Sequence, residues 1–359
     1  MVTPSDTLRA LADAFGHRAT LMRPLGPLTT YGVGGSAALF VEVKDEDDLS
    51  AVRRSLRDTL EGSGPGDDLV PTFVIGRGSN LLVSDAGFDG LVLHLGTGFA
   101  GLELPAIAGG GRSSGAPTAD AAPVVRAGAA LALPVLARRV ADAGWSGLSW
   151  AVGVPGSVGG AVRMNAGGHG SDMASCLVRY TWVELLSDDG GTDAVGRLAY
   201  GYRSSSLRAT QLVVAAELEV TPGSIEAEQE AVAAIVRWRR EHQPGGSNAG
   251  SVFTNPEDDS AGRLIESAGL KGFRLGTAHV SEKHANFIQA DRDGRADDVY
   301  ALMEHVRRVV AERCGVTLRT EVRLLGFDDG KTGPVPENQL RTTEAPRRDH
   351  GQSATGGRR

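Results

Sequence analysis

Apolar positions recur at helical spacing in two stretches near the start of the chain. Leu8, Leu11, Ala12 and Phe15 predict an amphipathic helix over 6–16, and Leu49, Val52, Leu56 and Leu60 predict a second over 45–60. Short apolar runs bounded by glycine and aspartate, at 38–43, 72–75, 81–83 and 91–95, predict strands, so this part reads as a mixed α/β unit. A strand at 124–125, a helix over 131–143, a glycine-rich span at 144–170, strands near 177–186 and 211–220 and a helix over 225–241 predict a second unit. Pro244-Gly-Gly-Ser-Asn-Ala-Gly250 reads as a boundary, and helices at 260–269 and 297–313 flank short strands in a third. From Val316 to Leu325, Val316, Leu318, Val322 and Leu324 alternate with Arg319, Glu321 and Arg323, which predicts a half-buried strand with one charged face. Two stretches cannot bury apolar surface: 105–123, mostly Gly, Ala, Ser and Pro, reads as a flexible insertion, and 328–359 as a disordered tail.

Composition narrows the class. At 359 residues, 41% hydrophobic and 23% charged, the chain is long enough for two or three globular domains of roughly 150 residues each. A formal net charge of −7 argues against nucleic acid as a partner. The start lacks a basic segment followed by an apolar core, and no run approaches the ~18 apolar residues of a membrane span. A cytoplasmic protein without a membrane partner is therefore expected. Cys176 and Cys314 form no C-x-x-C pair and read as small apolar fillers in a reducing compartment. His279 and His284, five apart with no cysteine near, do not match a metal motif, and no metal is predicted.

Three glycine clusters point to chemistry: Tyr31-Gly-Val-Gly-Gly-Ser36, Gly76-Arg-Gly-Ser-Asn80, and Gly153-Val-Pro-Gly-Ser-Val-Gly-Gly-Ala161 with Met164-Asn-Ala-Gly-Gly168 behind it. Glycine lets the backbone approach a pyrophosphate and aim amides at it, although any one cluster is as well explained by a tight turn. A Rossmann fingerprint needs a strand, then G-x-G-x-x-G/A, then a helix. The cluster at 32–37 precedes its strand, and the cluster at 76–80 is followed by a strand. A dinucleotide held by loops between two α/β units is what remains.

These loops, together with Thr30, Gly144-Trp-Ser-Gly-Leu-Ser-Trp150, Tyr202-Arg-Ser-Ser205, Ala249-Gly-Ser-Val-Phe-Thr-Asn-Pro256, Leu270-Lys-Gly272, His284-Ala-Asn-Phe287 and Glu321-Val-Arg-Leu-Leu-Gly326, resemble in order the UDP-N-acetylenolpyruvoylglucosamine reductase family over roughly residues 18–327. The resemblance implies a multidomain α+β and α/β fold: a two-part FAD-binding module of the vanillyl-alcohol-oxidase type plus a smaller α/β substrate domain. The expected divisions are an N-terminal helix (1–17), FAD-binding subdomains at 18–95 and 96–243, a substrate domain at 244–327 and the tail. It further implies non-covalent FAD, NADPH as co-substrate, and hydride transfer to the enolpyruvyl ether of a UDP-sugar by a monomer. Cofactor contacts fall on Tyr31, Gly32 and Gly34, on Gly76, Arg77, Gly78, Ser79 and Asn80, on Gly153, Pro155, Gly156, Ser157, Gly159 and Gly160, and on Asn165. Two features depart from part of the family. No tyrosine occurs between Arg203 and Tyr300, which resembles the subclass lacking a substrate-clamping loop, and Glu241-His242-Gln243-Pro244 stands where many members have a lysine.

Hydride arriving at an enolpyruvyl carbon leaves negative charge on the neighbouring carbon and its carboxylate. Arg203 offers a permanent positive fork for that carboxylate. By resemblance Ser251 donates the proton and Glu321 polarises the developing enolate, while an ion pair with Arg319 or Arg323 is the structural alternative for Glu321. Tyr202, Asn255, Lys271 and His284 are further candidates for holding the substrate. Another oxidoreductase on the same FAD scaffold, acting on an alcohol or hydroxy acid, would share the loops but would not require Ser251 and Glu321. A flavin-binding protein without turnover would also retain the pocket.

Overall fold

Parallel strands form here where a helix can bridge them. The strand Ser36–Val43 pairs in parallel with Phe88–Leu95, which pairs in parallel with Thr72–Ile75, and Ala19–Pro24 closes the other edge antiparallel. The helix Glu46–Glu61 provides the long crossover that a parallel connection needs. The computed structural model describes residues 4–61, 70–106 and 122–327. Most of the 105–123 insertion and the whole 328–359 tail lie outside the described residues.

Side chains alternate along the central strands. Leu39, Val41, Val43, Leu91, Leu93 and Leu95 enter a large core with Leu8, Leu11 and Phe15 of the helix Asp6–Phe15. Phe40 and Val92 point the other way, into a smaller cluster with Leu25, Ile75, Val83 and Leu325. Both faces of this sheet are therefore covered.

The second sheet is antiparallel, in the order Gly190–Ala194, Leu177–Glu184, Gln211–Glu219, Val124–Gly128, Leu102–Glu103. The helices Leu133–Asp142, Val158–Met164 and Ile225–His242 contribute Leu133, Leu136, Val158, Val162 and Val232 to the same large core that backs the first sheet. Arg53 of the helix Glu46–Glu61 adds a polar tie to the second unit, donating to the carbonyls of Glu184, Ser187 and Asp189 at 2.8, 2.6 and 3.1 Å. The third unit is a small antiparallel meander, Arg274–Leu275, Ala278–Val280 and Ile288–Ala290, packed on the helices Ala261–Ser267 and Ala296–Cys314. Its core also receives Tyr31, Val33 and Leu82 from the first unit. Among the described residues no helix is long and apolar enough to cross a membrane.

The final segment differs from its sequence pattern. Only Arg323–Leu325 is a strand, and it leaves the third unit to pair in parallel with Leu81–Val83. Before it, Thr320 forms a single bridge with Phe253 and the rest is irregular. The expected single charged face is divided: Arg319 is exposed, whereas Glu321 turns inward with 13% of its side chain exposed. Alternation predicts which residues share a side but not which side meets water, and here both sides have a partner.

Leu325 is 5% exposed and carries this returning strand into the smaller core. Leu325→Ala is expected to lower stability by about 2–4 kcal/mol in urea denaturation, the range for a buried leucine left as a cavity. A midpoint equal to that of the parent would show that the strand is not packed there.

Candidate active site

Two glycine loops face one another. The turn 76–80 links the strands Thr72–Ile75 and Leu81–Val83, and Ser157 begins the helix Val158–Met164, its hydroxyl accepting from the Gly160 N–H at 3.4 Å. A Cβ on Gly76 would stand 2.5 Å from the Ser157 hydroxyl, and one on Gly156 3.5 Å from that of Ser79. Gly78 has φ +57°, and a Cβ there would run into the Leu28 carbonyl. Among the described residues the backbone N–H groups of Arg77, Gly78, Ser79, Asn80, Gly156 and Ser157 have no hydrogen-bond acceptor. Six free donors on two touching loops, with the exposed Arg77 beside them, match the oxygens of a dinucleotide diphosphate. The residues present thus fit the group that the loops imply. Gly159 donates to the Ala129 carbonyl at 2.8 Å and fixes the helix against the second sheet. Pro155 is exposed at the loop tip, and Gly153 leaves room for the His169 ring.

The other predicted cofactor residues sit differently. Tyr31 is fully buried, and among the described residues its hydroxyl has no partner within hydrogen-bond distance, so its ring underpins the Gly32–Gly34 turn from inside. Gly32 approaches Ser247, and Gly34 packs on Val83. Asn165 uses both ends of its amide on protein, donating to the Gly201 carbonyl at 3.2 Å and accepting from the Ala174 N–H at 3.0 Å.

That arrangement seats Arg203. Gly201 and Ser204 bridge a tight turn in which Arg203 has φ +51°, a left-handed conformation uncommon for a residue with a Cβ. Its Nε donates to Glu321 Oε1 at 2.9 Å, Nη1 to the Asn165 carbonyl at 3.2 Å and Nη2 to the Gly167 carbonyl at 2.8 Å. Two of its five N–H donors remain for a ligand. Tyr202, 65% exposed, lies with its ring centroid 5.3 Å from the Arg203 guanidinium carbon. Burial pushes the Glu321 carboxyl above the ordinary carboxylate range, and the Arg203 guanidinium pulls against that shift. The ion pair is with Arg203, 118 residues away in sequence, and not with Arg319 or Arg323.

Backbone bonds place Ser251 beside this pair. Glu321 N–H donates to the Val252 carbonyl at 2.8 Å, and the Asn80 amide donates to the Glu321 carbonyl at 3.1 Å. Ser251 is half-buried after Gly250, which has φ +80°, and among the described residues its hydroxyl has no hydrogen-bond partner. Asn255, Lys271 and His284 gather instead around the helix Ala261–Ser267. Asn255 accepts from the Ala261 N–H at 3.0 Å, Lys271 pairs with Glu266 at 2.8 Å, and His284 accepts from the Asn286 N–H at 3.2 Å beside Gly262. The structural role of Asn80, which joins a glycine loop to Glu321, was not read from the sequence. Its position as the last residue of the Gly-x-Gly-Ser-Asn turn was the available signal.

The sequence profile described as FAD binding domain matches residues 37–193, which makes the chain a flavoprotein. The profile described as UDP-N-acetylenolpyruvoylglucosamine reductase, C-terminal domain, matches residues 242–325. UDP-N-acetylenolpyruvoylglucosamine reductase 2 of Symbiobacterium thermophilum is 40% identical over 309 residues, 85% of this chain and 91% of the relative. The reductase of Synechococcus sp. strain WH7803 is 39% identical over 333 residues, 91% and 99% of the two chains. The crystal structure of the Thermus caldophilus reductase superposes with a TM-score of 0.68 at 32% identity, covering 86% of this chain and 98% of that one. The chain belongs to the UDP-N-acetylenolpyruvoylglucosamine reductase family.

Two outcomes follow from the geometry. Gly78→Ala needs both a left-handed Cβ and a shifted Leu28 carbonyl, so the purified protein should lose most of its flavin, read as the ratio of visible to ultraviolet absorbance. Full flavin content would separate the loop from the cofactor. Glu321 gives a pH signature, because a carboxyl raised by folding adds no penalty where it is protonated in both states and an increasing one as the unfolded chain ionises. The stability of Glu321→Gln relative to the parent should therefore rise as pH climbs from about 4 through the ordinary carboxylate range in urea titrations. A difference that is flat or falls over that range would mean that Arg203 keeps the carboxylate ionised.

Proposed function

We propose that the chain reduces the enolpyruvyl double bond of UDP-N-acetylglucosamine-enolpyruvate to UDP-N-acetylmuramate, an oxidoreductase step on a carbon–carbon bond with NADPH as donor. The observation that carries this reading is the pairing of Arg203 with a desolvated Glu321 beside an unengaged serine hydroxyl. The family, and the names of the relatives, support it.

FAD, held by the two glycine loops, would supply hydride to the substrate. The remaining two N–H donors of Arg203 face the charge that develops on the enolate and its carboxylate, with the planar match of a guanidinium to a carboxylate. Burial works against the ionised form of Glu321, and its bond to Arg203 keeps the carboxyl beside the same developing charge. The Ser251 hydroxyl then delivers one proton to the carbanion carbon, so the alkene gains one hydride and one proton in total. Tyr202, Asn255, Lys271 and His284 hold the sugar nucleotide. The proposal includes the subclass without the clamping loop, the divisions at 18–95, 96–243 and 244–327, and a cytoplasmic monomer that binds no nucleic acid.

Ser251 separates this mechanism from a merely structural serine, because its proton is needed only after hydride has reached the substrate. In stopped-flow measurements on Ser251→Ala, NADPH should bleach the flavin at nearly the parent rate. Reoxidation by UDP-N-acetylenolpyruvoylglucosamine should slow by about 10²–10⁴. Equal slowing of both half-reactions, or of neither, would assign the proton to another group. A parent protein whose reduced flavin is not reoxidised by this substrate would sink the reading as a whole.

A further inference from the structure

The chain that follows Ser251 is held on one edge by the segment that carries Glu321. Glu321 N–H donates to the Val252 carbonyl at 2.8 Å and Thr254 N–H to the Arg319 carbonyl at 2.9 Å, which makes Phe253 and Thr320 an antiparallel bridge. In a bridge closed by the neighbours in this way, the N–H and C=O of the central residue point away from the partner segment. Phe253 is 1% exposed, so these two groups need partners on the opposite edge. A single side chain supplies both. Asn286 Oδ1 accepts from the Phe253 N–H at 3.0 Å, and Asn286 Nδ2 donates to the Phe253 carbonyl at 2.8 Å. The Asn286 carbonyl also accepts from the Val252 N–H at 2.9 Å. An asparagine amide carries the donor and acceptor of a peptide group, so here one residue stands in for a strand.

Asn286 is 3% exposed among the apolar side chains of the third unit. Burying an amide there is unfavourable unless its hydrogen bonds are made, and the turn beneath it is built to keep them. Ser281, 1% exposed, accepts from the N–H groups of Lys283 and His284 at 3.1 and 3.4 Å through its hydroxyl, and its own N–H donates to the Phe287 carbonyl at 2.8 Å. Asn286 N–H donates to His284 Nδ1 at 3.2 Å. On the other side of the serine the chain is looser. Gly250 has φ +80° with nothing within 4 Å of where its Cβ would stand, and its N–H is tied only two residues back, to Asn248 Oδ1 at 3.0 Å. That tie moves with the turn and does not fix it to the rest of the molecule. The place of Ser251 is therefore set from its C-terminal side, by Val252 and Phe253.

We infer that Asn286 is the positioning residue for the Ser251 hydroxyl: its amide seats Phe253 against the Glu321 segment, and the serine ahead of it is thereby aimed at the substrate carbon. The inference rests on the reading of Ser251 as proton donor given above. A proton donor works only within hydrogen-bond reach of its target, and a misplacement of about 1 Å can cost on the order of 10² in rate. Asn286 touches neither substrate nor cofactor in this account and acts through the serine alone.

Two measurements on the full-length protein with its FAD bound test this. In hydrogen exchange, the Phe253 N–H should exchange about tenfold faster or more in Asn286→Ala, the equivalent of one lost hydrogen bond. In stopped flow, NADPH should bleach the flavin of Asn286→Ala within about twofold of the parent rate, whereas reoxidation by UDP-N-acetylenolpyruvoylglucosamine should slow by about 10–10². The double variant separates positioning from mere scaffolding. Once the hydroxyl is gone there is nothing left to aim, so Asn286→Ala combined with Ser251→Ala should reoxidise within about threefold of Ser251→Ala alone. Asn286→Asp keeps the shape and the acceptor for Phe253 N–H but loses the bond to the Phe253 carbonyl, and it carries the same comparisons should Asn286→Ala fail to fold. Slowing that multiplies in the double variant, equal slowing of both half-reactions, or parent-like exchange at Phe253 overturns the inference. A slow Ser251→Ala beside an Asn286→Ala that reoxidises at the parent rate overturns it alone. A Ser251→Ala that reoxidises at the parent rate overturns the earlier reading of the serine and this inference with it.

Discussion

The parallel pairing of Arg323–Leu325 with Leu81–Val83 is the constraint on which the site depends. It brings the end of the third unit back to the strand that follows the 76–80 turn and sets Glu321 within reach of Asn80. The clamp works in both directions, since the side chain of Asn80 donates to Glu321 and its carbonyl accepts from Arg323. From Glu321 the geometry spreads outward: through its own N–H to Val252 and the serine turn, and through its carboxyl to Arg203. Arg203 in turn is held by the carbonyls of Asn165 and Gly167. Loops from all three units are positioned relative to one another by a few directional bonds at the ends of rigid elements.

The electrostatics follow from the same closure. In a partly desolvated site a carboxyl and a guanidinium group act on one another far more strongly than in water. Glu321 resists ionisation because of burial, yet Arg203 limits how far that resistance goes. The left-handed backbone of Arg203 shows that the turn is held against its own preference, and the Gly201–Ser204 bridge and the three bonds of the guanidinium group hold it there. An arginine seated in this way loses little freedom when a ligand arrives, which is the advantage of preorganisation.

Much of this was legible in the sequence, and the exceptions share a cause. The helices Ile225–His242 and Ala296–Cys314 and the strand Thr72–Ile75 stand within a residue or two of their periodic patterns, because local spacing decides them. The glycine loops were equally visible, and the strand that follows 76–80 correctly excluded a Rossmann unit. Hidden from the sequence were features decided by contacts between distant segments. The pattern at 316–325 looks like one long strand, but only its last three residues find a ladder, and Glu321 and Arg323 turn toward Arg203 and Met164 while Arg319 stays exposed. Tyr31 sits in a glycine motif and reads as a ligand contact, yet its ring fills the core of the third unit. Periodicity reports a face, and only the tertiary neighbour decides what that face meets.

The returning strand also bears on how the chain is made. Leu81–Val83 leave the ribosome roughly 240 residues before the segment that completes their pairing, an interval of about 12–50 s at ordinary rates of synthesis. During that time the strand Leu81–Val83 and the apolar surface awaiting Leu325 lack this partner, the kind of exposed edge that invites pairing with another chain. The last described strand therefore works as a latch closed at the end of translation. A chain interrupted before residue 321 would lack the latch together with the Glu321 and Arg323 side chains that it delivers, so premature termination leaves a nascent protein with an open apolar edge and no partner for Arg203.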